Sequence, residues 1–123
     1  MPRLENPVYD AALQVLIDDG DRLDLCSQEP TSYTEATSTY SLGNKTAITI
    51  GTIADGDVSG RKVTISATTG GTIGSTGTAT HYAISDTTGT QLLAAGELTT
   101  SQQVVSGNTF TTEAFDIEIP DPA

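Results

Sequence analysis

The feature that most limits how this chain can fold is a change of pattern at Gly20. Ahead of it lies the one segment with helical periodicity. Asn6 is placed to cap a helix and Pro7 suits its first position, where a missing N–H costs nothing. Val8, Ala11, Ala12, Val15 and Leu16 then recur at three- and four-residue spacing, a stripe that has to pack against something. Gly20, in "DDGD", supplies the stop, and the spacing predicts a helix over 6–19. Asp18 and Asp19 fall at the end of that helix where the backbone dipole disfavours negative charge.

Beyond Gly20 the chain reads as short alternating segments punctuated by turn residues. Threonine occurs 22 times in all and glycine 12 times, a bias towards strands and turns. Strands are expected over Arg22–Ser27, Thr46–Ile53, Lys62–Ala67, Gly77–Ser85, Gln91–Glu97, Gln102–Val105 and Thr109–Ile119. "DTTG" at 86–89 is turn chemistry, so 77–97 reads as a hairpin, and "SGN" at 106–108 is a second tight turn. "TTGGTIGSTG" at 68–77 reads as a glycine-rich loop, and 32–45, which has no period, as a long surface connection. No repeat of solenoid length is present. The expected fold is mainly β: a β-sandwich of jelly-roll or Ig-like type with one N-terminal α-helix. Residues 1–123 form a single domain in this reading, with 120–123 as a short proline-containing tail.

Charge narrows the partners. Sixteen acidic against five basic residues give a net charge of −11. Nucleic acids and anionic membranes are bound through Lys and Arg patches, so neither is an expected partner. The acids are scattered rather than blocked, as on a solvated surface. No stretch approaches the length of a membrane span, and the start lacks the basic-then-apolar pattern of a signal peptide. The sequon at Asn44 matters only in a secretory pathway. The single cysteine, Cys26, rules out an internal disulfide, and its place in "RLDLCS" predicts a buried strand residue.

Catalytic patterns are missing. In "ADGDVSGRKVTI" only three residues separate Gly56 from Gly60, Arg precedes Lys, and Val63 stands where a phosphate loop needs Ser or Thr. The run "RKVTISAT" alternates like a strand, so no helix N-terminus can receive a phosphate. His81 is the only histidine and lacks an orienting partner in the sequence. No serine sits in a Gly-x-Ser-x-Gly turn. The carboxylates of "DDGDRLD", 18–24, lack the spacing and distal Glu of a calcium loop. Of Glu113, Asp116 and Glu118, the last two fall opposite Phe115, Ile117 and Ile119, so the acids lie largely on one face, as on an ordinary amphipathic strand. The chain is therefore read as non-enzymatic, with no cofactor and no metal.

The segments "PTSYTEAT", "ADGDVSGRKVTI", "GTATHYAISDTTGTQLLAAGEL" and "AFDIEIPDPA" resemble a family of small proteins encoded among the structural genes of tailed bacteriophages and prophages. The resemblance runs from about Ala11 to the end and is most specific at 55–63, Ala79–His81 and Asp116–Ile119. It carries no active site. It implies a virion structural protein of the auxiliary capsid (decoration or cement) type, made in the bacterial cytoplasm and placed on the capsid surface. Its partners would be the major capsid protein and further copies of itself, a trimer being favoured. Two other roles stay open: an adhesion or glycan-binding module, with Tyr33 and Tyr40 as aromatic candidates, and a head–tail connector or tail component. Arg61 and Lys62, the only adjacent cations, are the candidate partner-binding residues. Strand alternation sends them to opposite faces, free to meet either this chain's own carboxylates or a neighbour's.

Overall fold

The computed structural model describes residues 5–57 and 59–119, so the expected tail at 120–123 lies outside the described residues. Helix α1 (Asn6–Asp19) leads into β1 (Arg22–Cys26), then a one-turn π-helix (Glu35–Thr39). Eight strands come after it: β2 (Ser41–Thr46), β3 (Ile50–Asp55), β4 (Arg61–Ile65), β5 (Thr68–Ile73), β6 (Gly77–Asp86), β7 (Gln91–Val104), β8 (Thr109–Thr112) and β9 (Phe115–Ile119). They form two antiparallel sheets, of order β7-β6-β1-β2-β5-β8 and β3-β4-β9. The protein is mainly β, sandwich-like, with one N-terminal helix.

The helix spans the expected residues but is rotated. Its cap position is Glu5 rather than Asn6, and no side chain caps it. Tyr9, Leu13 and Leu16 are buried with Ile17 beside them, whereas Val8 and Val15 are 53% and 44% exposed and Ala11 and Ala12 also face solvent. Two apolar stripes interleave on this helix, and the one carrying the larger side chains goes inward. Burying Tyr and Leu removes more apolar area from water than burying Val and Ala. Gly20 ends the helix with extended rather than left-handed backbone. It is needed for room: a Cβ there would lie 2.6 Å from the Leu16 carbonyl oxygen and 3.1 Å from side-chain atoms of Ile50 and Ile84.

The sheets also depart from the expected strands in particular places. Residues 41–45, read as part of a surface connection, form with Thr46 the strand β2 near the centre of the large sheet. Their alternation is hidden because Gly43 sits where β2 meets β5. A Cβ at that position would come within 2.5 Å of the Thr72 carbonyl oxygen. The expected strand 46–53 is broken at Ala47, whose φ of 57° turns the chain out of one sheet before β3 begins in the other. The glycine-rich loop expected at 68–77 is strand β5 as far as Ile73. The segments 91–97 and 102–105 join into the single long strand β7. Residues 109–119 divide at Glu113–Ala114 into β8 and β9, one in each sheet. The 77–97 hairpin and the 106–108 turn are present as expected.

Three apolar clusters hold these elements. Leu13, Leu16, Leu23, Val63, Ile65 and Ile84 join the helix and both sheets. Leu25, Leu42, Ile73, Ala79, Val104 and Phe110 fill the inside of the curled large sheet. On its other face Cys26 and Ala83 pack against Ala36 of the π-helical segment, beside Tyr40 and Leu92. Strand β1 is thus covered on both faces: Leu23 and Leu25 face one side, Asp24 and Cys26 the other.

Candidate functional site

Arg61 and Lys62 open β4, after a loop closed by a bond from the Gly56 N–H to the Gly60 carbonyl (3.0 Å) and by Gly60 at φ 72°. The Asp57 N–H also donates to the Glu118 carboxylate. As strand alternation requires, the two cations diverge. Arg61 turns to the helix side, donating from Nε to Asp10 on α1 (2.9 Å) and from Nη1 to Asp55 on β3 (2.6 Å). Lys62 turns outward and donates to Asp57 (2.7 Å) and to Asp116 on β9 (3.1 Å). Asp116 also accepts from the Thr64 hydroxyl at 2.7 Å. The bonds to Asp57 and then Asp116 hold the Lys62 ammonium well above the usual lysine range. Thr64 and Lys62 hold the Asp116 carboxyl below the ordinary carboxylate value. The structure brings the two candidate residues together with five of the chain's own carboxylates, counting Glu118 of β9, which holds their loop. They tie α1, β3 and β9 to β4.

The other residues singled out in the sequence are scattered. Three carboxylates of 18–24 have separate work: Asp18 accepts from Gln14 (3.0 Å), and Asp21 accepts from the Thr87 N–H and hydroxyl (3.0 and 2.6 Å). Asp24 is fully buried, bridged by Arg22 through Nε and Nη2 (2.8 and 3.0 Å) and by the Ser41 hydroxyl at 2.6 Å. Burial pushes its carboxyl up, with Arg22 and Ser41 pulling the other way. Among the described residues no three His, Cys, Asp or Glu side chains gather as a metal site. Cys26 is buried, and that burial pushes its thiol up to about 12, so thiolate chemistry is suppressed. His81 meets the Thr80 hydroxyl at 2.8 Å. Tyr40 packs on the Cys26 cluster and Tyr33 is half-buried, apart from any aromatic platform.

One feature escaped the sequence. The edge strands of the large sheet, β7 and β8, are consecutive in the chain, and the turn closed by the Asn108 N–H on the Val105 carbonyl (3.1 Å) brings them back beside each other. Val104 and Phe110 share one cluster across this seam, yet no ladder joins β7 to β8 among the described residues. Between them, and running on to the start of β9, lies a groove of about 720 Å³ open to solvent. Half-buried Tyr82 forms its floor above the buried Leu23 and Leu25, and the Phe115 ring packs on Tyr82 at a tilt of 46° with 4.4 Å between centroids. One wall is Glu97–Thr100 and Gln102, the other Thr111–Asp116. A smaller hollow of about 230 Å³ continues the seam past Gln102 and Thr111 towards the turn. No local pattern announces such a groove, because it depends on how a six-stranded sheet curls. Set against protein-family models, curated proteins and solved structures, the chain matches none of them.

Proposed function

We propose that this protein is a non-enzymatic virion structural protein that decorates the outer capsid lattice of a tailed bacteriophage. The reading rests on the resemblance of its segments to proteins of that class. One observation of the fold carries it further: the reactive-looking side chains serve the scaffold. Arg22, Arg61 and Lys62 are each held by carboxylates of this chain, the thiol is buried, and the histidine lacks an acidic partner among the described residues. The other described acids lie at the surface, on a chain of net charge −11. Such a protein stays apart from its neighbours in solution, and repeated weak contacts on a symmetric lattice can then hold it by avidity. A trimer suits places where capsid subunits meet in threes.

The test is a particle reconstruction after adding purified protein to undecorated capsids of the phage that encodes it. Copies repeated over the lattice are the expected result. Density confined to one vertex or to the tail moves the role to a connector or tail component, and no added density overturns the capsid reading.

A further inference from the structure

The seam between β7 and β8 brings the two edges of the large sheet to one groove. Among the described residues each of these strands is paired on one side only, β7 to β6 and β8 to β5. An unpaired edge presents a row of N–H and C=O groups, and two such edges facing each other across a groove offer two rows at once. In β7 the register jumps between Ala79↔Gln102 and His81↔Glu97, leaving Leu98–Ser101 without partners on β6. Thr99 and Thr100 of this bulge line the groove. On the facing wall, Thr112 carries a buried hydroxyl with no hydrogen-bond partner. A buried polar atom of this kind is normally satisfied in a working state.

We propose that the seam accepts an extended peptide arm of another protein, bound as an added strand between β7 and β8 and bearing Lys or Arg at its ends. The half-buried apolar side chains of the groove, Tyr82, Leu98 and Phe115, take small or β-branched side chains on alternate positions, as strand addition does. The basic ends follow from charge. Glu97, Glu113 and Asp116 line the groove, and among the described residues no Lys, Arg or His does. Asp116 is already held by Lys62 and Thr64, but Glu97 and Glu113 form no ion pair among the described residues. A second copy of this chain would bring a further charge of −11 to an acidic slot, so the occupant is a different, cationic chain. Acidic rims also repel the wrong strand, which is how an open edge stays selective. This inference goes beyond the capsid reading and stands without it.

The probe is a synthetic nonapeptide, Lys-Thr-Val-Thr-Val-Thr-Val-Thr-Lys, with the same core flanked by Glu as its counterpart. At about 3.3 Å per residue it spans the seam. Titrated into isotope-labelled full-length protein, the Lys-flanked peptide should shift and protect the amides of Thr99–Gln103 and Thr109–Thr112. It should bind at least about tenfold more tightly than the Glu-flanked one at low salt, with the gap narrowing as salt screens the ends. Glu97→Lys with Glu113→Lys alters two exposed side chains and should reverse that order while leaving the fold intact. The proposal is overturned if neither peptide perturbs the seam at millimolar concentration, or if the shifts fall on α1 or β3. It is equally overturned if the double variant leaves the preference unchanged, or if the seam is protected only by self-association or by added oligosaccharide.

Discussion

The two sheets of this molecule are held in different ways. The six-stranded sheet relies on long ladders and on apolar clusters covering both faces of β1, with its one buried carboxylate fully bridged. The three-stranded sheet is short, and on its outer face the contacts between strands are charged or polar: Lys62 and Thr64 of β4 meet Asp116 of β9. Arg61 draws Asp10 of the helix and Asp55 of β3 onto the same strand. Apolar burial is insensitive to salt and to mild acid; exposed ion pairs respond to both. The small sheet should therefore be the part that loosens when conditions change. It is also the part that Leu23 and Ile84 anchor to the rest through the shared cluster.

The largest effect should come from the inside of the large sheet. Phe110 is 6% exposed and fills the cluster where β8 curls towards β7. Phe110→Ala should cost about 3–5 kcal/mol in urea unfolding, the transfer loss plus the cavity left behind. Amide exchange should speed up most along β5 and β8. Equal acceleration in β3 and β9 at sub-denaturing urea would break the comparison by showing one indivisible unit.

Next is the bridge beneath Asp24. Arg22→Ala leaves a buried carboxylate without its cation, a loss of about 3 kcal/mol at neutral pH. The sign can be checked by titration. A carboxyl whose folded pKa stands above its ordinary 3.8 favours the folded state only while protonated, so its contribution is full below 3.8 and lost as pH rises through the folded value. Without Arg22 that value rises further. The deficit against the parent protein should be large at pH 7 and shrink as pH falls towards 4; a deficit constant with pH would mean that Arg22 acts through packing alone.

Much of this difference was legible in the chain and some of it was not. Strands β1, β4, β6 and β9 announce themselves because one face or both is apolar, so alternation survives in the sequence. Strands β2 and β5 are hidden by glycine, which close strand approach demands at Gly43 and which reads as loop when seen alone. Arg61 and Lys62 could be picked out as an adjacent pair and sent to opposite faces. Their four acidic partners lie between five and 54 positions away or on another element, and no spacing rule ties Asp10 to Arg61. The seam was beyond reach because it is a property of sheet closure, which emerges only when the strand order is known.

The small sheet can be tested through its charges. Thr64 and Lys62 hold Asp116 below 3.8, and the Thr87 hydroxyl and then its N–H lower Asp21, which lies outside that sheet, against its slight burial. A carboxyl depressed in the folded state contributes stability that is present above its ordinary value and lost as pH falls through the folded one. Exchange in β4 and β9 should thus accelerate below pH 3.8, before β1 and β6, where Asp24 responds in the opposite sense. Arg61→Glu with Lys62→Glu should lower the melting temperature, because the reversed charges face Asp10, Asp55, Asp57 and Asp116, and added salt should recover part of the loss. Any test of these residues in partner binding needs Arg61→Gln and Lys62→Gln instead, which remove attraction without adding repulsion. A melting temperature unmoved by the double reversal would sink the charged-stitch account of the small sheet.

The smallest effect should be at the helix stripe that faces away from both sheets. Val8 and Val15 are exposed in the isolated chain and, with Ala11 and Ala12, carry a periodicity as good as that of the buried Tyr9, Leu13 and Leu16. Periodicity records that a face is apolar, and packing then selects the bulkier of two such faces. If the selection is complete, Val8→Ser with Val15→Ser removes no burial, and only helix propensity changes. The urea midpoint should then shift by no more than about 0.5 kcal/mol equivalent, the usual range for surface substitutions. Leu13→Ala, on the opposite face of the same helix, should cost about 2–5 kcal/mol because its side chain is 2% exposed in the cluster that joins both sheets. A loss above about 1 kcal/mol in the double serine variant, combined with dependence on protein concentration, would show that another copy covers the stripe in solution. The comparison would then extend to three surfaces, with the helix packed on both sides.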